Sequence, residues 1–189
     1  MKTSQLCQGL QILAVSTAIS TFLTCNALWA KSESDAVLLA REFIGVCAQN
    51  AGRTDKIAAA ARMFGYGELV DDMKAMFAPQ DPSAEFSGWL ATVENGPKYL
   101  LGISNGEING KDYSICVISN PNISIDEVLD EIRKLTVFGE LVDNSEEVGQ
   151  RYRVWKTDKI ASQSFLSVVD APKMGIVGGT ISLSAPTEK

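Results

Sequence analysis

The chain has 189 residues, with 17 Lys or Arg, 23 Asp or Glu and a formal net charge of −6. This acidic balance argues against nucleic acid and anionic membranes as partners, because binding to phosphates depends on Lys and Arg. The chain contains no histidine, which excludes Ser-His-Asp and Cys-His nucleophilic sites, histidine-ligated zinc and a histidine general base.

The first thirty residues have the composition of a secretory leader. Lys2 is their one charged residue, and an apolar run over residues 10–23 precedes small and polar residues. This layout predicts a signal peptide over residues 1–30, cleaved after Ala30 or, as second choice, after Ala27. The apolar run is shorter than the about 20 apolar residues that a membrane-spanning helix needs, and it lies within the predicted leader. We therefore predict no stable membrane span after cleavage. An uncleaved anchor and lipid attachment at Cys25 are the alternatives.

Residues 31–189 are predicted to form a single globular domain in the periplasm or outside the cell. This length is sufficient for one hydrophobic core, and no repeat or linker divides it. Cys47 and Cys116 are the two cysteines that remain after cleavage. In an oxidising compartment such a pair is most simply a disulfide, although two free buried thiols and a reactive pair are alternatives.

The mature chain begins with helical patterns. Apolar residues recur at three- and four-residue steps from about residue 34 to 50, placing Cys47 on the buried side of the first helix. A second helix is expected from Thr54, a candidate cap, to about Gly65, and the segment 67–79 is expected to continue as helix.

Strands follow. Residues 86–119 predict a three-stranded antiparallel meander joined by Asn-Gly turns. A helix begins after Ser124, which forms a capping box with Glu127 and precedes an apolar stripe from Ile125 to Leu135. Three or four further strands are expected after it. The order predicts an α+β fold with a mostly antiparallel sheet and N-terminal helices packed on it.

The strand containing Cys116 is apolar in both alternations, as "YSICVI" shows. A sheet with one face in water alternates more regularly. We therefore expect helices on both faces, or else a face that meets an apolar ligand or a second copy in a homodimer.

The segment "QRYRVWK" is the most specific candidate for ligand binding. Alternation places Arg151, Arg153 and Trp155 on one face of a strand, where two guanidiniums and an indole suit an anionic or aromatic group. The alternative is that these arginines pair with nearby acids.

Carboxylates are the remaining catalytic candidates, because glycoside hydrolysis needs only two placed acids. The candidate groups are Glu68, Asp71 and Asp72, and Asp126, Glu127, Asp130 and Glu131. Solvated helix faces explain both groups. No metal-ligand, phosphate-loop or dinucleotide motif is present, so we predict no catalytic residues, no metal and no cofactor.

The sequence favours an exported bacterial envelope protein that binds an envelope protein or a small ligand without catalysis. A small envelope hydrolase that uses a carboxylate pair is the alternative. A redox protein and a structural subunit are less favoured classes.

Overall fold

An eight-stranded antiparallel sheet forms the centre of the computed structural model, which describes residues 33–77, 84–93 and 96–188. The spatial order of its strands is β1-β2-β3-β4-β8-β7-β6-β5. The predicted α+β class with a mostly antiparallel sheet is confirmed. The described residues from Glu33 onward form one compact unit. The predicted leader, its cleavage sites and Cys25 lie outside the described residues.

The helices and strands follow the predicted order. The helices are α1 (Asp35–Glu42), continued by a π-helix (Phe43–Ala48), α2 (Thr54–Met63), α3 (Asp71–Phe77) and α4 (Ile125–Leu135). The strands are β1 (Gly67–Glu68), β2 (Phe86–Thr92), β3 (Lys98–Ile108), β4 (Lys111–Asn120), β5 (Leu141–Glu147), β6 (Gln150–Lys156), β7 (Phe165–Asp170) and β8 (Gly179–Pro186).

The helix boundaries differ in detail from those predicted. Ser34 caps α1 by accepting a hydrogen bond from the amide of Val37. Thr54 is the first residue of α2 and makes no cap, since the preceding Arg53 holds the N-cap position without a side-chain bond. Gly67 and Glu68 form a short strand instead of continuing a helix, because they pair with β2. Tertiary pairing therefore overrides the helical pattern there.

The three-stranded meander is confirmed, but one of its turns is shorter than expected. Asn109 and Gly110 form the β3–β4 turn with φ angles of 52° and 75°, the left-handed pair that a tight hairpin requires. Asn105 and Gly106 instead lie within β3 and pair with β4. The two Asn-Gly dipeptides are identical in sequence, so strand pairing determines that the second one, Asn109-Gly110, forms the turn.

The second half of the chain adds α4 and four strands. The amide of Glu127 donates to the Ser124 hydroxyl over 3.4 Å, as the capping box predicts. Ile125, Val128, Leu129 and Ile132 are buried. Leu135 is 53% exposed, so the last residue of the predicted apolar stripe is not part of the core.

The hydrophobic core lies on one side of the sheet. Residues of α1, the π-helix, α2 and α4 pack there against alternate residues of the strands. Those strand residues are Trp89, Ala91, Tyr99, Leu101, Ile103, Cys116, Ile118, Trp155, Leu166, Val168, Ile181 and Leu183. The described helices that contribute core residues thus share one face, and the core cluster contains no residue of a helix on the other face.

Candidate functional site: an open sheet face and an arginine–aspartate cluster

Three rows of side chains cross six strands on the side of the sheet away from the helices. Each row consists of residues directly opposite one another in the strand register, which point to the same side. We call this surface the open face. It consists of Phe86, Gly88, Leu90, Leu100, Gly102, Ser104, Ile115, Val117, Ser119, Tyr152, Val154, Phe165, Ser167, Val169, Thr180, Ser182 and Ser184.

The seventeen residues named for the open face include no charged side chain, although Lys156 completes the row of Phe165 on β6. Charged residues make up 21% of the whole chain, yet the first of them here, Lys156, stands at one corner, opposite Phe165. A solvated face of an antiparallel sheet usually alternates apolar inward residues with polar and charged outward ones. A surface of valine, isoleucine, leucine, aromatic and hydroxyl side chains is instead typical of a face that contacts another body.

One edge of the open face is partly filled by the chain itself. A Cβ added at Gly102 would approach the Phe86 ring to 2.9 Å, and one added at Gly88 would approach a Leu69 methyl to 2.6 Å. Close approach of Phe86 and Leu69 thus requires glycine at both positions. Farther from this edge, Val117, Ile115 and their neighbours on β8 and β7 have no described helix over them.

Arg151 and Arg153, by contrast, lie on the helix-facing side of β6. Arg151 Nε donates to Asp170 Oδ1 over 2.9 Å, and its Nη2 also binds Asp170 and donates to Asp126 Oδ2 over 3.0 Å. Arg153 donates to Asp126 Oδ1 over 2.7 Å and to Asp170 Oδ2 over 3.1 Å. Two carboxylates therefore neutralise both guanidiniums, as the alternative interpretation of this segment expected.

The two aspartates of this cluster differ in burial. The side chain of Asp170 is 3% exposed and that of Asp126 is 57% exposed. Partial burial acts to raise the pKa of Asp126, but hydrogen bonds and charges from Arg153 and Arg151 outweigh it and lower that pKa below its ordinary value. The hydrogen bond to Asp170 is the main cause of the raised pKa of Arg151.

Trp155 is buried and is part of the core, so it does not provide a free stacking surface. Its ring lies 5.4 Å from that of Phe138 between ring centroids. The guanidinium of Arg133 lies 5.9 Å from the Trp155 centroid and that of Arg153 lies 6.0 Å from it, at the outer range of cation–π contact. The indole is thus enclosed by residues of its own chain.

A groove of about 300 Å³ lies beside this cluster. Asp126, Arg151 and Asp170 line it together with the loop that contains Ile176 and Val177. Because its arginine is already bonded to two carboxylates, the groove offers no unpaired positive charge to an anion. Ligand binding by Arg151, Arg153 and Trp155 stays a prediction, and this geometry gives it little support.

The carboxylate candidates lie in two groups, one at the sheet edge and one on α4. Glu68, Asp71 and Asp72 are exposed at the sheet edge, and Glu127 and Asp130 are exposed on α4. Asp126 is held in its ionised form by two guanidiniums, so it can accept a proton only well below neutral pH. A glycosidase acid needs the opposite shift, a raised pKa.

The sequence did not indicate a second polar cluster, formed by Glu42, Tyr66 and Tyr99. The Tyr99 hydroxyl donates to Glu42 Oε2 over 2.8 Å, and the Tyr66 hydroxyl donates to the same oxygen over 3.3 Å. Burial is the largest cause of the raised pKa of each tyrosine. The three residues join the end of α1 to β3 and to the segment after α2, and periodicity alone gives no sign of this meeting.

The two cysteines within the described residues are close in space. The Cα atoms of Cys47 and Cys116 lie 5.5 Å apart, and their sulfur atoms are at bonding distance, 1.99 Å. Cys47 is in the π-helix and Cys116 is in the centre of β4. The structure therefore provides the helix-to-sheet link that the sequence predicted.

Comparisons with protein-family models, with curated proteins and with solved structures found no match. Within the described ranges, no helix has both the length and the apolar character to cross a bilayer. The same residues contain no group of three or more Cys, Asp or Glu side chains placed to hold a metal ion.

Proposed function

We propose that this protein is exported to the bacterial envelope, where it acts without catalysis by binding a partner through the open face. The observation that supports this proposal most directly is the uncharged surface across six strands, which lies opposite the helix layer. Hydrophobic and hydroxyl side chains that are partly exposed over such an area gain free energy when they are removed from water.

The leader and the cysteines support the export part of the proposal. The composition of residues 1–30 is that of a cleaved signal peptide. Cys47 and Cys116 at bonding distance fit a compartment in which disulfides persist. Fractionation of cells that express the full-length gene tests this part: we expect the protein in the periplasm or medium, beginning at Lys31 or Leu28.

Site-specific photo-cross-linking tests the binding part. A photoreactive amino acid replaces Val117 on the open face or, as a matched control, Val137, which is 66% exposed in the segment after α4. We expect a covalent adduct in irradiated cells from position 117 and none from position 137. Retention of the full-length chain in the cytosol, or equal absence of adducts at both positions, would refute the proposal.

A further inference from the structure

The open face has a relief that is complementary to itself. Ser182 and Ser184 give β8 short hydroxyl side chains in two rows, where the adjacent β4 presents the larger Val117 and Ile115; in the third row Thr180 stands beside the shorter Ser119. Short side chains next to bulky ones form a groove beside a ridge. A groove of this kind accepts a ridge from an opposing sheet, as in other packed sheet pairs.

A two-fold axis parallel to the strands, between β4 and β8, brings the two features together. Rotation about this axis places β4 of each copy over β8 of the other, so that each ridge enters the opposite groove. Because Val117 and Ser182 are register partners, each Val117 then lies over Ser182 of the second copy. Both grooves are filled at once, which is the property of an isologous interface.

The charge distribution also favours a second copy over a charged partner. The whole chain carries a net charge of −6, but the absence of charge on the open face leaves the acidic side chains of both copies outside the contact. A basic peptide would find no acidic side chain within the rows, and an anionic lipid headgroup would find only Lys156 at one corner, which already binds Glu140. The hydroxyls of Ser167 and Ser182 make no hydrogen bond with described residues, so they are available for bonds across the contact.

The area is sufficient for a specific dimer. Six strands about 4.8 Å apart extend roughly 29 Å across the sheet, and three rows on one face extend about 20 Å along the strands. This corresponds to roughly 570 Å² for each copy and about 1,150 Å² for two, above the approximately 1,000 Å² that a specific interface needs.

We infer that the partner of the open face is a second copy of this chain, packed sheet against sheet with the ridge of β4 in the groove of β8. This inference rests on the proposed function, since it names the occupant of the same surface. The sheets lie about 10 Å apart, with the two disulfide-linked helix layers on the outside.

Sedimentation analysis tests the inference on protein made from the full-length gene and purified in the form that the cell produces. We expect wild-type protein to sediment at twice the mass of one chain. Val117→Lys and Ser182→Lys should each give single chains, because they place ammonium groups in the centre of the contact. Val137→Lys, the matched control, should remain a dimer, and circular dichroism should show the wild-type fold in every variant compared.

Two results would overturn the dimer: wild-type protein that sediments as single chains at high micromolar concentration, or a dimer that persists in both open-face variants. Failure of the dimer is distinguishable from failure of the proposed function. Cross-links from position 117 to a different envelope protein, together with a monomeric purified chain, would remove the dimer and leave binding through the open face intact.

Discussion

Asp170→Asn should destabilise the protein strongly, whereas Asp126→Asn should have little effect. The two carboxylates bind the same two guanidiniums, but Asp170 is 3% exposed and Asp126 is 57% exposed. The amide keeps the size of the side chain, removes its charge and turns an N–H₂ group toward the guanidinium donors. The pair of variants thus compares one chemical change at two levels of burial.

The magnitude follows from the desolvation of the arginines. Removing one partner of a buried ion pair costs about 3 to 5 kcal/mol, because the remaining charge stays buried without compensation. Arg153 keeps its bond to Asp126, so we expect the lower limit, about 3 kcal/mol, for Asp170→Asn. An exposed ion pair contributes about 1 kcal/mol or less. Asp126→Asn should therefore lower the free energy of unfolding by no more than about 1 kcal/mol.

Urea unfolding followed by circular dichroism measures the difference. With a urea dependence of about 2 kcal/mol per molar, Asp170→Asn should lower the midpoint by roughly 1.5 M and Asp126→Asn by no more than about 0.5 M. Equal midpoints for the two variants would refute the reasoning, because burial would then not determine the strength of this cluster.

Two other predictions concern the cysteines and pH. Replacing Cys47 and Cys116 by alanine should lower the free energy of unfolding by about 4 kcal/mol, since the bond closes a long loop with a sequence separation of 69 residues. Mass spectrometry of the wild-type protein without reductant should show a two-dalton deficit. A reductant that leaves the melting temperature of the wild type unchanged would contradict the prediction. Asp126 has a lowered pKa in the folded state, so its contribution to stability is complete above its unfolded-state pKa and should be lost as pH falls through the lower folded value. Urea midpoints measured from pH 6 down to pH 2 should show an acid-dependent loss that is smaller in Asp126→Asn, and identical pH profiles for variant and wild type would exclude this contribution.

Local patterns were sufficient wherever the signal is carried by neighbouring residues. The capping box at Ser124, the meander and the alternation of Arg151, Arg153 and Trp155 all follow from periods of 3.6 or 2 and from side chains that bond to nearby backbone. The predicted link between Cys47 and Cys116 has a different basis: local periodicity places both on buried faces, and removal of the leader is expected to leave no other cysteine.

Long-range pairing accounts for what the sequence could not provide. Periodicity identifies the two faces of β6 but does not say that Asp126 and Asp170, from α4 and β7, meet Arg151 and Arg153 there. The same limit applies to Glu42 with Tyr99 and to the two competing Asn-Gly turns. These contacts depend on strand order and register, which many pairings of equal local energy satisfy.

The sequence by itself determined the acidic charge, the absence of histidine chemistry, the leader-like beginning and the order of helices and strands. The tertiary structure decided that α1, the π-helix, α2 and α4 gather on one side of the sheet, that the arginines are neutralised, and that an almost uncharged face is left on the other side. The physical reason is that a strand such as β4 has apolar residues on both of its sides. Its sequence pattern therefore does not indicate which side the helices cover. Only the placement of α1, α2 and α4 on one layer distinguishes the core from the open face.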